Sequence, residues 1–477
     1  MNLHLYDTAT RTNQPLTPVK EGEVGIYLCG ATVQGSPHIG HLRSAIAFDT
    51  LIRWLKRNGM KVTYIRNVTD IDDKILNKSA EAGEKWWAWA NQHEREFAAA
   101  YDALGLLPPT YEPRATGHIP DQIELIQRLI DRNHAYADGN GNVYFDVHSL
   151  DDYGSLTHQD LTQMRTTEDE SQIDAATEAG KRDPRDFALW KAAKPTEPTT
   201  ASWDSPWGRG RPGWHLECSA MSRRYLGDEF DIHGGGIDLR FPHHENEQAQ
   251  SHGAGWGFAR LWVHNAWVTI KGEKMAKSLG NSLIVSEILD RVPAPVLRFA
   301  LGTVHHRSTV EYSEETLTTA AAAWERLSGF VTRAEEAVGS IDEDEVASHP
   351  VPDAFATALN DDLNVAGGMA VVWERLKAGN QALADKDHAA VRQAVLDVRA
   401  MMDVLGLDPA NEQWSSTTTA DSQMEDALDA LVSHLIDARA RARAEKDWAQ
   451  ADSIRVQLTA AGIVVEDSAD GARWHLA

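Results

Sequence analysis

Cysteine is nearly absent from this 477-residue sequence, which contains only Cys29 and Cys218. So small a number excludes a disulfide-stabilised secreted scaffold. Three interpretations of the pair remain open at this point: inert core residues, a nucleophile or metal ligands. The residues around the two cysteines have to decide among them.

The sequence also lacks long apolar segments and an excess of basic charge. No run approaches the roughly 18 apolar residues that a membrane-spanning helix needs. The first residues show neither the basic nor the apolar region of a signal peptide, so we expect a cytoplasmic protein. The net charge of −25 argues against a general nucleic-acid binder, because phosphate contacts require a positive surface. A nucleic-acid partner would therefore need locally concentrated basic residues.

The residue pattern of the first half predicts an α/β fold. Residues 24–29 and 61–66 are typical of strands, and residues 41–57 between them have helical periodicity. A strand–helix–strand unit of this kind begins a Rossmann-like, doubly wound parallel sheet.

Changes in composition along the chain predict four domains. A polar stretch at 166–184 and a Pro/Thr-rich stretch at 195–206 indicate an insertion that splits the sheet domain. Strand signals fade after about residue 295, and a Ser/Thr-rich joint lies at 415–422. The predicted domains are a split Rossmann-like catalytic domain (1–130 and 207–295), a connective insertion (131–206), a linker with a helical bundle (296–414) and a small C-terminal module (420–477).

The first motif is Pro37-His38-Ile39-Gly40-His41, between the first strand and the first helix. Loops at the carboxyl ends of parallel strands form the ligand crevice of this architecture. A helix N-terminus there offers free backbone N–H groups and a partial positive charge. Two histidines with a glycine that permits close backbone approach suit a polyphosphate. Ordinary loop histidines, or half of a metal site, are the alternatives for these residues alone.

The second motif, KGEKMAKSLGN at 271–281, places lysines among small residues. A cationic loop of this kind can close on a phosphate group, although a solvated surface loop is the alternative. An HIGH sequence followed much later by a KMSKS-like loop resembles class I aminoacyl-tRNA synthetases. Ala276 stands where serine is usual in those enzymes. This change removes one hydroxyl and keeps both lysines, so we expect tuning rather than loss of activity.

The third motif, FPHHENE at 241–247, follows a glycine-rich run. A helix that begins at Pro242 would place His243 and Glu247 on one face. Together with the two cysteines, an imidazole and a carboxylate make a plausible zinc shell. His244 competes for the ligand role, and the spacing to Glu247 favours His243.

These motifs and the segment RNVTDIDDK at 66–74 resemble the cysteinyl-tRNA synthetase family over nearly the whole chain. The resemblance implies activation of L-cysteine by ATP to cysteinyl-adenylate, and transfer of cysteine to tRNA(Cys). It also implies zinc–thiolate recognition of the substrate, with one zinc ion per chain held by Cys29, Cys218, His243 and Glu247. Lys277 would contact ATP, Trp214 would pack beside the bound cysteine, and the C-terminal module would recognise the anticodon.

The remaining site residues are hypotheses built on that reaction. The residues assigned to catalysis or ATP binding are His38, Gly40, His41, His233, Asp238, Lys274 and Lys277. The residues assigned to the amino-acid pocket are Gly30, Thr69 and Trp214. Because zinc selects a thiolate, we expect no editing domain. Magnesium should accompany ATP.

Two charged segments have open interpretations. Asp70, Asp72 and Asp73 either meet magnesium or the tRNA end, or simply cap and solvate a loop. A local basic run near the C-terminus suits phosphate contacts and base stacking, with a solvated face as the alternative. Its members are Arg439, Arg441, Arg443, Lys446, Arg455, Arg473 and Trp474.

Other functions explain only part of this pattern. A cysteine ligase that joins cysteine to an amino sugar shares the chemistry but lacks a full anticodon-binding tail, so residues 420–477 favour the tRNA enzyme. A non-catalytic RNA-binding or regulatory paralogue would not need the metal ligands and both lysines. A metal-dependent hydrolase would not explain the HIGH and lysine-loop pair. We expect a monomer that uses tRNA(Cys), L-cysteine and ATP and has no membrane partner.

Overall fold

The computed structural model describes residues 2–164, 178–270, 283–445, 447–468 and 471–476. These residues form two compact units, Met1–Ala410 and Asn411–Ala477. No helix among the described residues is long and apolar enough to cross a membrane.

The strands are β1 His4–Asp7, β2 Thr12–Pro15, β3 Glu23–Leu28, β4 Lys61–Arg66, β5 Ala135–Ala137, β6 Val143–Phe145, β7 Phe187–Ala192, β8 Gly210–Pro212, β9 Phe230–Gly236, β10 Ala259–Asn265, β11 Val268–Ile270, β12 Val310–Tyr312, β13 Ile463–Ser468 and β14 Gly471–Leu476. The helices are α1 Ile39–Arg57, α2 Asp73–Glu81, α3 Trp86–Ala103, α4 Ile119–Asp131, α5 Trp214–Leu226, α6 His243–Gly253, α7 Val285–Leu289, α8 Ala294–Gly302, α9 Glu314–Val338, α10 Glu343–Ser348, α11 Asp353–Asn360, α12 Val365–Asp385, α13 His388–Val404, α14 Glu412–Ala444 and α15 Trp448–Ala460.

The central sheet consists of four parallel strands in the order β10-β9-β3-β4. β3 lies inside this sheet and is apolar at most positions, as expected for a strand covered on both faces. The predicted parallel α/β arrangement is confirmed, and the strands predicted at 24–29 and 61–66 correspond to β3 and β4. Helix α1 begins at Ile39, slightly earlier than predicted, because His38 caps it.

The insertion is more regular than its polar composition suggested. β5, β6, β7 and β8 form an antiparallel sheet. This sheet has a core of its own that includes Val143, Phe145, Phe187 and Trp190. Three of the four strands have only three residues. Such short strands give almost no alternating pattern for sequence analysis to detect.

The helices from α8 to α13 pack on one another and against α1 through apolar faces and buried arginines. Phe330, Leu376 and Val395 belong to their continuous core with the sheet. Arg298 on α8 is fully buried and donates to the carboxylate of Asp49 on α1. A buried guanidinium of this kind requires its partner, because an unpaired buried charge is strongly destabilising. The pair therefore fixes α8 against the catalytic half of the first unit.

The second unit contains two helices and a hairpin. Its core includes Val432, Ile454, Leu458 and Ile463. The two helices are α14 and α15, and Asp447 caps the second. The Ser/Thr-rich stretch predicted as a joint lies within α14, and the boundary between the units falls at Ala410 instead. Ser and Thr disfavour helix only weakly, so surrounding residues can override them.

Candidate active site

A cavity of about 480 Å³ lies at the carboxyl ends of the parallel strands. Its wall includes Cys29 and Gly30, which follow β3, and Trp214, the first residue of α5. It also includes Asp238, in the short 3-10 helix after β9. The side chains of His38 and His41 line it from the start of α1. A crevice at this edge of the sheet is what the predicted architecture requires.

The two histidines of the HIGH motif hold each other in place. Their rings stack with centroids 3.7 Å apart. Nδ1 of His38 accepts from the Gly40 backbone N–H at 3.2 Å, and Nδ1 of His41 accepts from the His38 N–H at 3.2 Å. A Cβ on Gly40 would lie 3.0 Å from the His38 ring, so glycine keeps this stack in place.

This geometry fixes the tautomer of both rings. Burial lowers the pKa of His38 and lowers the pKa of His41 to about 3, so both imidazoles are neutral at pH 7. Since each Nδ1 accepts a hydrogen bond, each proton lies on Nε2. The pair therefore offers two N–H donors rather than two positive charges.

The free backbone N–H groups predicted at the start of α1 are already paired. The N–H of Ile39 donates to Leu283 O at 3.0 Å, and that of His41 donates to His38 O at 3.0 Å. His38 Nδ1 accepts a hydrogen bond from the N–H of Gly40. The prediction was wrong because the capping histidine and a distant carbonyl satisfy these donors first.

Four potential metal ligands converge beside the cavity. The sulfurs of Cys29 and Cys218 are 3.7 Å apart, and Cys29 Sγ is 3.4 Å from Oε1 of Glu247. Nε2 of His243 lies 3.0 Å from the same oxygen. One ligand atom from each residue lies within 4.8 Å of the others.

These distances and donor types fit zinc. In a tetrahedral site with zinc–sulfur bonds of about 2.3 Å, two sulfurs should lie about 3.8 Å apart. Burial raises the pKa of both thiols, so a bound cation would be needed to hold them as thiolates. Burial lowers the pKa of His243 to about 4, which leaves its imidazole neutral, as a ligand must be.

A second set formed by Cys29, His233, His244 and Glu247 also converges. It has one sulfur rather than two. Nε2 of His244 is 4.0 Å from Glu247 Oε1, against 3.0 Å for His243. The set predicted from the sequence therefore has more of the soft sulfur ligands that zinc prefers, and its histidine lies closer to Glu247.

Neighbouring side chains orient the ligand set. Nδ1 of His215 shares a hydrogen bond of 2.9 Å with Nδ1 of His243, and Trp214 stacks on His243 at 4.2 Å. Nε2 of His233 lies 2.7 Å from Oε2 of Glu247. Partners of this kind fix the direction of a ligand's lone pair.

The predicted ATP contact His233 lies beneath the cavity. Its ring is fully buried and stacks on Trp262 with centroids 4.6 Å apart. Asp238, in contrast, is exposed and lines the cavity. The structure therefore brings Asp238 and not His233 to the wall.

A polar chain that the sequence analysis missed runs behind Gly30. The Gly30 N–H donates to Asn67 Oδ1 at 2.8 Å. Oγ1 of Thr69 donates to buried Glu217 at 2.7 Å, and Asn67 donates to Thr69 at 3.3 Å. A Cβ on Gly30 would lie 1.6 Å from the Asn67 carbonyl oxygen, which explains the glycine. Glu217 can be recognised as a member of this chain only from its burial, which the sequence does not show.

The acidic run after β4 has structural partners. Asp70 accepts from the backbone and side chain of Thr116, and Asp72 caps α2 by accepting from the Lys74 N–H at 2.7 Å. Asp73 forms largely buried ion pairs with Lys191 and Arg211 of the insertion. Of the two interpretations, capping and loop fixation is the one that these contacts support.

Lys274, Ala276 and Lys277 lie outside the described residues. The described flanks of this segment are at the cavity, where Val268 and Leu283 line the wall. Trp267, which the sequence analysis also missed, lines the same wall with its side chain 57% exposed. Its position between β10 and β11, ahead of the lysine motif, could have identified it.

The basic residues near the C-terminus are only partly described. Arg441 and Arg443 on α14 are exposed, whereas Lys446 and the side chain of Arg473 lie outside the described residues. The indole of Trp474 packs against the core of the second unit. That packing reduces the ring surface that could stack on a base.

Three family models match the chain. The class I (C) tRNA synthetase catalytic domain matches residues 15–322, the DALR domain matches 354–408, and the cysteinyl-tRNA ligase anticodon-binding domain matches 425–474. The solved structure of Mycobacterium tuberculosis methionyl-tRNA synthetase with methionyl-adenylate covers 81% of the chain and 90% of its own. Its TM-score is 0.57 at 15% identity, so this similarity shows the fold alone.

Curated relatives are similar over the full length. The cysteine–tRNA ligase of Beutenbergia cavernae is 61% identical over 100% of this chain and 99% of its own. The Streptomyces coelicolor enzyme is 55% identical over 100% of this chain and 76% of its own. The Bifidobacterium longum enzyme is 52% identical over 99% of this chain and 94% of its own. With the catalytic and anticodon-binding family models both matched, the chain belongs to the cysteine–tRNA ligase family of class I aminoacyl-tRNA synthetases.

Proposed function

We propose that this chain activates L-cysteine with ATP to cysteinyl-adenylate and then transfers cysteine to tRNA(Cys). The observation that carries the proposal is the convergence of Cys29, Cys218, His243 and Glu247 beside the cavity that the HIGH histidines line. In this proposal, the metal ligands would select the thiol and the histidines would bind phosphate in the same crevice.

The metal-ligand set explains the choice of amino acid. Zinc, when bound, would supply a thiophilic Lewis acid that favours a cysteine thiolate over a serine hydroxyl. Cys29 of the ligand set and Trp214, which stacks on the ligand His243, both line the cavity. They would therefore lie next to the substrate side chain. Selection of this kind makes a separate editing domain unnecessary.

The HIGH motif would bind the phosphates of ATP through neutral donors. The Nε2–H groups of His38 and His41 can contact phosphate oxygens. Lys274 and Lys277 would supply the positive charge that the two imidazoles lack. The substrate carboxylate attacks the α-phosphate and pyrophosphate leaves, so positioning and charge stabilisation are the protein's main contributions.

Three further assignments complete the proposed site. Gly40 permits the close histidine stack, and Asp238 on the cavity wall would accept hydrogen bonds from nucleotide hydroxyls. We reassign His233 from ATP contact to positioning of Glu247, because it is buried against that carboxylate. Thr69 and Gly30 would shape the amino-acid pocket through the polar chain with Glu217.

Several predictions from the sequence stay proposals. We assign magnesium to bound ATP and give it no protein ligand, since the acidic run after β4 has structural partners. The division into four domains stays a proposal, with the anticodon-binding module beginning at residue 411 rather than 420. So do a cytoplasmic location and a monomeric state.

Cysteine-dependent exchange of labelled pyrophosphate into ATP tests the first step. We expect exchange with cysteine and none above background with an amino sugar alone. Transfer is then followed with tRNA or an amino sugar as acceptor, and we expect labelled cysteine on tRNA only. Label on the amino sugar would favour the thiol-cofactor ligase, and no exchange by zinc-loaded protein would refute both enzymes.

A further inference from the structure

A second cavity lies next to the catalytic one and has a strongly basic wall. Its volume is about 260 Å³, and Ala266 belongs to the walls of both cavities. The 3-10 helix Ile237–Arg240 separates them. Asp238 lines the catalytic cavity, while Ile237 and Arg240 line the second.

Three arginines from distant parts of the chain line this second cavity. Arg11 comes from the turn between β1 and β2, Arg240 from the 3-10 helix, and Arg307 from the segment after α8. No carboxylate side chain belongs to the described lining. Arg11 adopts a left-handed backbone conformation with φ of 56°, which is uncommon for a residue with a Cβ.

The positive charges are only partly neutralised. Arg307 pairs with buried Asp362 at 2.6 Å and lies 4.3 Å from the Tyr6 ring centroid. Among the described residues, neither Arg11 nor Arg240 has an ion-pair partner, and Arg11 donates to the Thr157 carbonyl at 3.2 Å.

Nε of Arg240 gives an independent indication of a ligand. This nitrogen is buried and has no hydrogen-bond partner among the residues that the structure describes. A buried donor of a charged group that stays unpaired is costly, so native structures normally satisfy it.

The polar groups around the arginines do not supply the missing negative charge. Glu245 behind the wall accepts from Gly154 N and from both the backbone and the hydroxyl of Thr157. Asp7 accepts from the Thr10 N–H at 2.9 Å and the Trp262 N–H at 2.9 Å. His264 on the wall bonds Thr8 and His244. The carboxylates of Glu245 and Asp7 thus already accept hydrogen bonds from other donors.

We propose that the cavity lined by Arg11, Arg240 and Arg307 binds a phosphate group of a reactant or product. Guanidinium forks match phosphate oxygens in geometry and charge. The volume suits one or two phosphate groups rather than a whole nucleotide, whose sites are usually larger. Two sources share this chemistry within the proposed function, on which this inference rests: released pyrophosphate and a phosphodiester of the tRNA end.

Substitution of the arginines distinguishes the sources. Arg240→Gln and Arg11→Gln remove single guanidinium groups, and Arg260→Gln is the matched control. Arg260 lies near the other end of β10, pairs with Glu229, and is 38% exposed. Using Arg11→Gln as a second variant keeps the test valid if Arg240→Gln folds poorly.

If pyrophosphate is the ligand, its KM in the exchange reaction should rise about 10–100-fold in both variants. If a tRNA phosphodiester is the ligand, the KM for tRNA should rise by a similar factor and its salt dependence should become shallower. Either result supports the inference. Behaviour identical to Arg260→Gln in both assays would overturn it.

Failure of the proposed function would be visible separately, as absence of exchange by the wild-type protein. Calorimetric titration with inorganic pyrophosphate would then decide the cavity on its own. Weaker binding by Arg240→Gln than by Arg260→Gln supports the phosphate site, and equal binding rules it out.

Discussion

The sulfur of Cys29 lies 3.7 Å from the sulfur of Cys218, although 189 positions separate them in the chain. The first follows β3 and the second lies on α5, so the parallel sheet and the helix that follows the insertion must both form before the pair exists. Neither cysteine is in a disulfide. Glu247 and His243 complete the set from α6.

Cys218→Ser should abolish zinc retention. Loss of a direct ligand should weaken zinc binding by more than the roughly 10–100-fold typical of changes in outer-shell partners. Metal content after dialysis, measured by atomic absorption, checks this. Ala220→Ser is the control because it adds a hydroxyl to a buried position on the same helix. We expect one zinc per chain in wild type and control, and an equal content in Cys218→Ser would contradict the site.

His38→Asn should separate the catalytic role of the ring from its capping role. Asparagine is a good N-cap, so it can still accept from Gly40 N–H, but it lacks the Nε2–H donor. We expect the exchange rate to fall about 10²–10³-fold, with an unchanged thermal midpoint. His252, which is partly exposed and pairs with Asp152, supplies the control variant His252→Asn, which should be neutral. Full exchange activity in His38→Asn would show that the ring does not contact ATP.

Gly30→Ala should damage the amino-acid pocket. The added Cβ would lie 1.6 Å from the Asn67 carbonyl, so the backbone must move. We expect a loss of about 1–3 kcal/mol in unfolding free energy and a higher KM for cysteine. Gly117→Ala is the control, because no atom of the described residues lies within 4 Å of its Cβ position. If Gly30→Ala matches Gly117→Ala in urea unfolding and in KM, the close approach is not required.

Asp73→Asn should weaken the attachment of the insertion to the sheet domain. Burial alone would raise the pKa of Asp73, but the charges of Lys191 and Arg211 outweigh it and hold that pKa well below its ordinary value. A depressed carboxyl pKa stabilises the fold above the ordinary pKa, and this contribution is lost as the pH falls through the folded-state value. We therefore expect a destabilisation of about 3 kcal/mol at pH 7 that shrinks in acid.

Urea unfolding at a series of pH values measures that difference directly. Glu314→Gln, which breaks the exposed pair with Arg291, should change stability by less than about 1 kcal/mol. A difference between wild type and Asp73→Asn that stays constant down to low pH would contradict the linkage.

Local patterns predicted the parts of this protein that depend on nearby residues. The i, i+4 spacing of His243 and Glu247 placed both on one helix face, and their side chains meet at 3.0 Å. The strands around α1 were equally visible, because apolar periodicity is a local property. The meeting of Cys29 with Cys218 came from the family resemblance, since no local rule links residues so far apart.

The errors and omissions arose where distant residues complete a local feature. The N–H groups of α1 were expected to be free, but Leu283 O and the ring of His38 occupy them. Glu217 reads as an ordinary helical acid until tertiary packing buries it against Thr69. In the sequence, Asp73 is one member of an acidic run that solvent could surround. In the fold, Lys191 and Arg211 of the insertion pair with it.

Charging of tRNA with labelled cysteine by the purified, zinc-loaded protein tests the central claim most directly, with serine in a parallel reaction. The metal-ligand set predicts that cysteine is attached and that serine charging stays below roughly one part in 10³. Serine charging above that level would contradict selection by the thiol site, and a lack of cysteine charging in protein that retains zinc would contradict the proposed reaction itself.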